Sequence, residues 1–263
     1  MTHTLYQVDT FTHQPFTGNP AAVCLLQKPV PDKWMQSLAA EMNLSETAFL
    51  LPENGDWYLR WFTPKTEVDL CGHATLASAR VIFELHPTLR DHPIKFHTRS
   101  GLLLARWVDD MVELDFPAMR PEPIEVSPDA LSVLGVNVVA GARSGDYFLF
   151  EAESDQAVRE AAPDFRALAE SAMPEVIITA RSVDPVFDFI SRFFAPRLGI
   201  NEDPVTGSAH CLLAPYWAEK MGKNVFKAYQ ASKRGGRLQV RLVGERVRIS
   251  GAARMIFSAE LLV

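Results

Sequence analysis

The period of hydrophobic and polar positions changes several times along this chain, and the changes mark out its elements. Residues 5–11 read as a strand, 16–20 (Phe-Thr-Gly-Asn-Pro) as a turn, and 21–26 as a short apolar strand behind it. Met35, Leu38, Ala39 and Met42 recur at i, i+3, i+4 and i+7, which predicts a helix over 32–42. Residues 47–51 and 57–62 are strand-like and aromatic-rich. Residues 74–83 are helical and apolar on nearly every side, and a helix without a solvent face must be enclosed by other elements. Residues 208–221 have the same character, with Pro215 inside, which predicts a kink or an early stop. Strand-like runs follow the first enclosed helix at 93–98, 102–108 and 111–116. Others follow the second at 224–230, 237–242, 246–249 and 255–262. Several strands, one enclosed helix and several more strands, performed twice, fit sheets wrapped round a central helix.

The proline-rich segment 116–123 reads as a linker, followed by a short helix with Ser127 as N-cap, Pro128 in the first turn and Gly135 as the stop. The boundary falls near residue 119. It separates a first domain over 1–118 from a second over 119–252, with the last strand, about 253–263, returning to the first.

The two halves share a local pattern. Phe62-Thr63-Pro64 precedes Glu67-Val-Asp-Leu-Cys-Gly-His-Ala74, and Phe194-Ala195-Pro196 precedes Asn201-Glu-Asp-Pro-Val-Thr-Gly-Ser-Ala209. Pro64 to Gly72 is 8 positions and Pro196 to Gly207 is 11, so one copy carries a loop insertion. Each copy ends a loop at a glycine and starts a helix there, which suggests a ligand held between two helix N-termini.

Composition narrows the function. The formal charge of −6 and the lack of a basic run argue against a nucleic-acid partner. Three cysteines at unrelated spacings fit reduced thiols in a cytoplasmic protein. The N-terminus has no basic-then-apolar signal pattern, and no apolar run is long enough to span a bilayer, so no membrane partner is expected. No His-Glu-x-x-His or similar spacing marks a metal site.

Glu46 lies between a predicted helix and an apolar strand, close to Leu44, Ala48 and Phe49. Partial desolvation there would raise its pKa and suit proton transfer near neutrality; the alternative is an exposed glutamate at a helix end. Gly72 and Gly207 could let backbone N–H groups converge on an anion, with Ser208 adding a hydroxyl; the alternative is two ordinary helix starts. His73 and Asp203 could orient a polar substrate group, or could be structural and a turn initiator. Cys71 precedes Gly72, where a helix dipole favours thiolate, but Thr206 stands at the matching place in the second copy. Cys24 and Cys211 read as small buried hydrophobes.

Taken together, the blocks 16–23, 43–49, 69–75, 202–209 and 230–236 resemble the phenazine-biosynthesis PhzF-like proteins, in family order and over essentially the whole chain. The resemblance implies the α+β diaminopimelate-epimerase-like fold: two similar domains, each a barrel-like, mostly antiparallel sheet around a central buried helix, with the site in the cleft between them. It implies a cofactor-independent isomerase that moves a proton within a small carboxylate-bearing substrate and commonly forms a homodimer. Glu46 matches the acid/base. His73 and Asp203 match catalytic cleft residues, and Asn19, Ser45, Gly72, Gly207 and Ser208 match substrate-binding positions. Neither a cofactor nor a metal is implied. Relatives that racemise amino acids place a thiol at each helix start. Here only Cys71 is present, so a two-thiol racemase is not expected, while a Cys71-dependent epimerase and a non-catalytic carboxylate-binding module remain alternatives.

Overall fold

The computed structural model describes residues 3–262. The chain divides into two compact units, one made of Met1–Asp115 with Ser250–Val263 and the other of Phe116–Ile249. The first series of elements is β1 (Thr4–Thr10), β2 (Asn19–Leu25), α1 (Asp32–Met42), β3 (Thr47–Glu53), β4 (Asp56–Phe62), β5 (Glu67–Val68), α2 (Gly72–Leu85), β6 (Ile94–Thr98), β7 (Gly101–Val108) and β8 (Met111–Pro117). The second is β9 (Glu122–Ile124), α3 (Pro128–Leu134), β10 (Val138–Ser144), β11 (Tyr147–Ala152), α4 (Asp155–Glu160), α5 (Phe165–Glu170), β12 (Glu175–Arg181), β13 (Phe189–Ala195), β14 (Ile200–Asp203), α6 (Gly207–Met221), β15 (Val225–Gln230), β16 (Gly236–Val243) and β17 (Arg246–Gly251). The chain ends in β18 (Ala253–Glu260), which pairs antiparallel with β1.

Both units run the same sheet. In the first, β1–β2 is antiparallel, β2–β3 parallel, β3–β4 and β4–β5 antiparallel, β4–β6 parallel and β6–β7 antiparallel. In the second, β10–β11, β11–β12, β12–β13, β13–β14, β13–β15 and β15–β16 repeat that sequence of senses. The edge next to the first strand is filled by β18 in one unit and by β9 in the other. The repeat suspected from two short motifs therefore extends through each whole unit.

The enclosed helix is the centre of each. α2 packs on β1, β2, β3, β7 and β18, and every residue from His73 to Ala79 is buried. Its hydroxyls return to the helix backbone, Thr75 Oγ1 to Cys71 O at 2.5 Å and Ser78 Oγ to Ala74 O at 2.7 Å, as hydroxyls without water must. α1 covers the other face of the first sheet with Met35, Leu38 and Ala39 against Ala22, Cys24 and Phe49. β2 and β3 are thus buried on both faces, which explains their continuous apolar runs. α1 ends at Asn43, whose positive φ of 51° provides the left-handed cap.

Pro215 does not stop its helix: α6 continues to Met221. A proline leaves the carbonyl four residues back without its donor. Here that carbonyl, Cys211 O, accepts the Met119 N–H at 2.9 Å. The proline-rich segment thereby supplies the missing bond, and the helix tolerates the residue. Among the described residues no helix is long and apolar enough to cross a membrane.

Candidate active site

The two central helices begin alike. α2 starts at Gly72 behind an extended Cys71, and α6 starts at Gly207 behind an extended Thr206; neither N-cap side chain bonds its own first turn. The residues just before them align without a gap, Glu67 to Gly72 against Glu202 to Gly207, which pairs Cys71 with Thr206 and His73 with Ser208. The extra length of the second copy sits between Pro196 and Ile200, in a 3-10 turn closed by Gly199 at φ 87°.

The approach strands are pinned the same way in both units. Arg60 of β4 grips Glu67 with two bonds of 2.7 Å, and Arg192 of β13 grips Glu202 at 2.6 and 3.1 Å. Each guanidinium also lies over a ring two residues on, Phe62 at 5.2 Å and Phe194 at 4.9 Å. Bidentate pairs of this kind fix geometry as well as adding energy. These arginines went unread in the sequence, although Arg-x-Phe-x-Pro occurs in both copies (Arg60 to Pro64, Arg192 to Pro196) and was the available signal.

In the first unit the fold gathers Glu46, Cys71 and His73. Glu46 lies in the turn from α1 to β3 with its side chain 12% exposed, and its Oε2 is 3.3 Å from His73 Nε2. His73 Nδ1 is 3.5 Å from Cys71 Sγ, and a Glu46 carboxylate oxygen, a His73 ring nitrogen and the Cys71 sulfur cluster within 4.8 Å of one another. Burial holds the imidazole neutral, pushing its pKa down to about 4. Ser45 is half-buried beside Glu46. Asn19 opens β2, fully buried, and its carbonyl accepts the Thr10 hydroxyl at 2.9 Å.

In the second unit Asp203 is buried at the end of β14, and its Oδ2 accepts the Thr206 hydroxyl at 2.5 Å. The buried Gln230 amide ties this turn together. Its Oε1 accepts the Thr206 N–H at 2.8 Å, and its Nε2 donates to Asp203 O at 2.9 Å and to Thr206 Oγ1 at 3.2 Å. The Thr206 hydroxyl is therefore held on both sides, by Asp203 and by Gln230. Ser208 Oγ accepts from Tyr147 OH at 2.9 Å.

Gln230, in the 230–236 block, holds the turn that carries Asp203. Gln230→Leu takes the amide partner from the buried Thr206 N–H and Asp203 O, while Thr206 Oγ1 keeps its bond to Asp203, so it is expected to destabilise the protein by about 2–5 kcal/mol in urea unfolding. A loss below about 1 kcal/mol would show the turn holds without the amide.

His210, one turn further along α6, donates Nδ1–H to Thr206 O at 2.8 Å and stacks on Phe189. Burial pushes its pKa down to about 4, against the Thr206 bond, which raises it. An unfolded histidine titrates at about 6.5. Between those values the unfolded chain takes the proton and the folded chain does not. Stability is therefore full above about pH 6.5 and declines toward pH 4 by about 3 kcal/mol from this group. Urea midpoints measured across that window should fall less steeply in His210→Gln than in the wild type; parallel slopes would refute the assignment.

Two units, each a sheet around an enclosed helix that starts at glycine, are the two-domain α+β architecture of the PhzF-like isomerases. The chain belongs to the phenazine biosynthesis-like protein family, whose model matches residues 8–259. It is 50% identical over 264 residues to an uncharacterized isomerase of Halalkalibacterium halodurans, covering 100% of both chains. It is 48% identical over 259 residues to an uncharacterized isomerase of Pseudomonas aeruginosa, covering 97% of each. The crystal structure of a phenazine biosynthesis protein of the PhzF family from Enterococcus faecalis matches with a TM-score of 0.96 at 40% identity, over 100% of both chains.

Proposed function

We propose that this chain is a cofactor-independent isomerase that moves a proton within a small carboxylate-bearing substrate, with Glu46 as its acid/base. The observation that carries the reading is the placement of the Glu46 carboxylate, shielded but not sealed, against a neutral His73 at the start of α2. Glu46 takes a proton from a carbon acidified by an adjacent unsaturated or carboxyl-bearing system and returns it elsewhere on the same face. His73 and Asp203 orient polar substituents. Asn19, Ser45 and Ser208, with the backbone at Gly72 and Gly207, hold the substrate and stabilise developing negative charge. The three free thiols fit the reducing cytoplasm, and the family resemblance supports a homodimer.

The test is deuterium uptake from heavy water by candidate cyclic amino and hydroxy acids, followed by NMR, and its dependence on Glu46. Binding without uptake or product would favour a non-catalytic module.

A further inference from the structure

We infer that Glu46, Cys71 and His73 form a site for one zinc ion, and that zinc bound there holds the enzyme inactive. The site follows from the donor atoms alone. The inactivation rests on the reading of Glu46 as the acid/base.

The cluster is compact and its donors are unlike. A carboxylate oxygen of Glu46, a ring nitrogen of His73 and the sulfur of Cys71 all lie within 4.8 Å of one another. Cys71 and His73 are 7% and 6% exposed, and the Glu46 side chain 12%. His73 Nε2 lies 3.3 Å from Glu46 Oε2 yet makes no hydrogen bond, so a buried ring nitrogen is left for whatever enters the cluster. Cys71 and His73 share one helix start, while Glu46 arrives from the turn between α1 and β3. No local spacing announces the set.

Bond lengths of about 2.0–2.3 Å place the ligand atoms of a tetrahedral zinc about 3.3–3.6 Å apart. The cluster therefore contracts by no more than about 1.5 Å to grip one ion. Glu46 stands on a turn with a flexible stem, and the closing movement falls to it. The donor set selects the metal. Calcium and magnesium are bound by several oxygens, and one carboxylate is offered here. Thiolate, imidazole and carboxylate together suit zinc, with the fourth position left to water. Binding forms the S–Zn bond and releases the thiol proton to solvent. Thiolate and carboxylate then balance the two charges of the ion, so the shielded centre carries no net charge. The start of the 14-residue α2 opposes a bare cation but favours the thiolate that comes with this one. A carboxylate bonded to zinc has lost the basicity needed to take a proton from carbon. The ion is thus an inhibitor here and not a cofactor.

Binding is tested without substrate. Protein stripped of metal, and then freed of chelator, is titrated under nitrogen with cobalt(II) and afterwards with zinc. A cobalt–thiolate bond gives a near-ultraviolet charge-transfer band, expected to saturate at one ion per chain and to vanish as zinc replaces cobalt. Cys24 and Cys211 are 0% and 2% exposed, so the band belongs to Cys71 and should be lost in Cys71→Ala. Glu46→Gln and His73→Gln should each weaken zinc binding by about a hundredfold or more, measured against a chromophoric chelator, since even outer-shell partners are worth about ten- to a hundredfold. No band in the wild type, a band that survives Cys71→Ala, or an unchanged affinity in either folded variant overturns the site. The inactivation has its own measurement. On a substrate that takes up deuterium, zinc should stop the uptake and a chelator should restore it. Uptake that continues with zinc bound overturns the inactivation. Neither metal titration bears on Glu46 as the acid/base, which the deuterium test of Glu46→Gln decides separately.

Discussion

Glu46→Gln is expected to lower turnover by about a hundred- to ten-thousand-fold while leaving ligand affinity within about threefold. The amide has nearly the volume of the acid and can still meet His73, so the pocket wall is kept. It has no proton to give and too little basicity to take one. The loss corresponds to about 3–5 kcal/mol of transition-state stabilisation, and it should appear in kcat as well as in kcat/KM because substrate binding survives. The measurement is deuterium uptake from heavy water under saturating substrate, paired with a binding titration of the same variant. Full activity in Glu46→Gln on a confirmed substrate would end the assignment.

Gly18→Ala is expected to destabilise the protein by at least about 3 kcal/mol. Two penalties combine. Gly18 has φ +69°, where a side chain is strained by roughly 1 kcal/mol. Its added Cβ would also lie 2.1 Å from the Thr10 carbonyl oxygen and 2.8 Å from Thr12 Cγ2. The first of these is backbone of β1, so relief requires β1 and β2 to part. The loop has little slack, because the buried Asp9 carboxylate accepts the Phe16 N–H at 2.7 Å and Thr12 and Thr17 hydroxyls meet at 2.6 Å. Gly55→Ala is the control: its φ is +87°, but nothing lies within 4 Å of the added atom. It should cost only about 1 kcal/mol. Equal urea midpoints for the two variants would contradict the argument. The Thr-Gly-Asn-Pro turn thus uses its glycine to let two strands approach, and Asn19 enters β2 from that fixed point.

Much of the fold was legible as periodicity. The face formed by Met35, Leu38 and Ala39 marked α1, and the apolar character of residues 74–83 on nearly every side required that α2 be enclosed. Ser127 and Gly135 bounded α3 by the chemistry of their caps. Residues 136–193 show no period that marks an element, although they hold β10 to β12, α4, α5 and most of β13. Runs such as Val176 to Ala180, buried throughout, have no alternation from which to tell strand from helix. The early stop offered by Pro215 does not occur, because its cost depends on whether a donor reaches Cys211 O, and Met119, distant in sequence, decides that.

The sequence by itself determined the twofold plan, the two glycine helix starts and the residue types able to move a proton. These follow from local patterns, since helix faces, caps and turn glycines act over a few positions. Only the tertiary structure decided which of those residues meet. Glu46 ends a helix-to-strand turn and His73 begins another helix, and no period relates them; the sheet between them brings carboxylate and imidazole to 3.3 Å. Packing likewise spent the Thr206 hydroxyl on Asp203 and Gln230 while setting Cys71 beside a histidine. Two similar helix starts therefore carry different chemistry, because a side chain's reactivity is set by the neighbours that folding gives it.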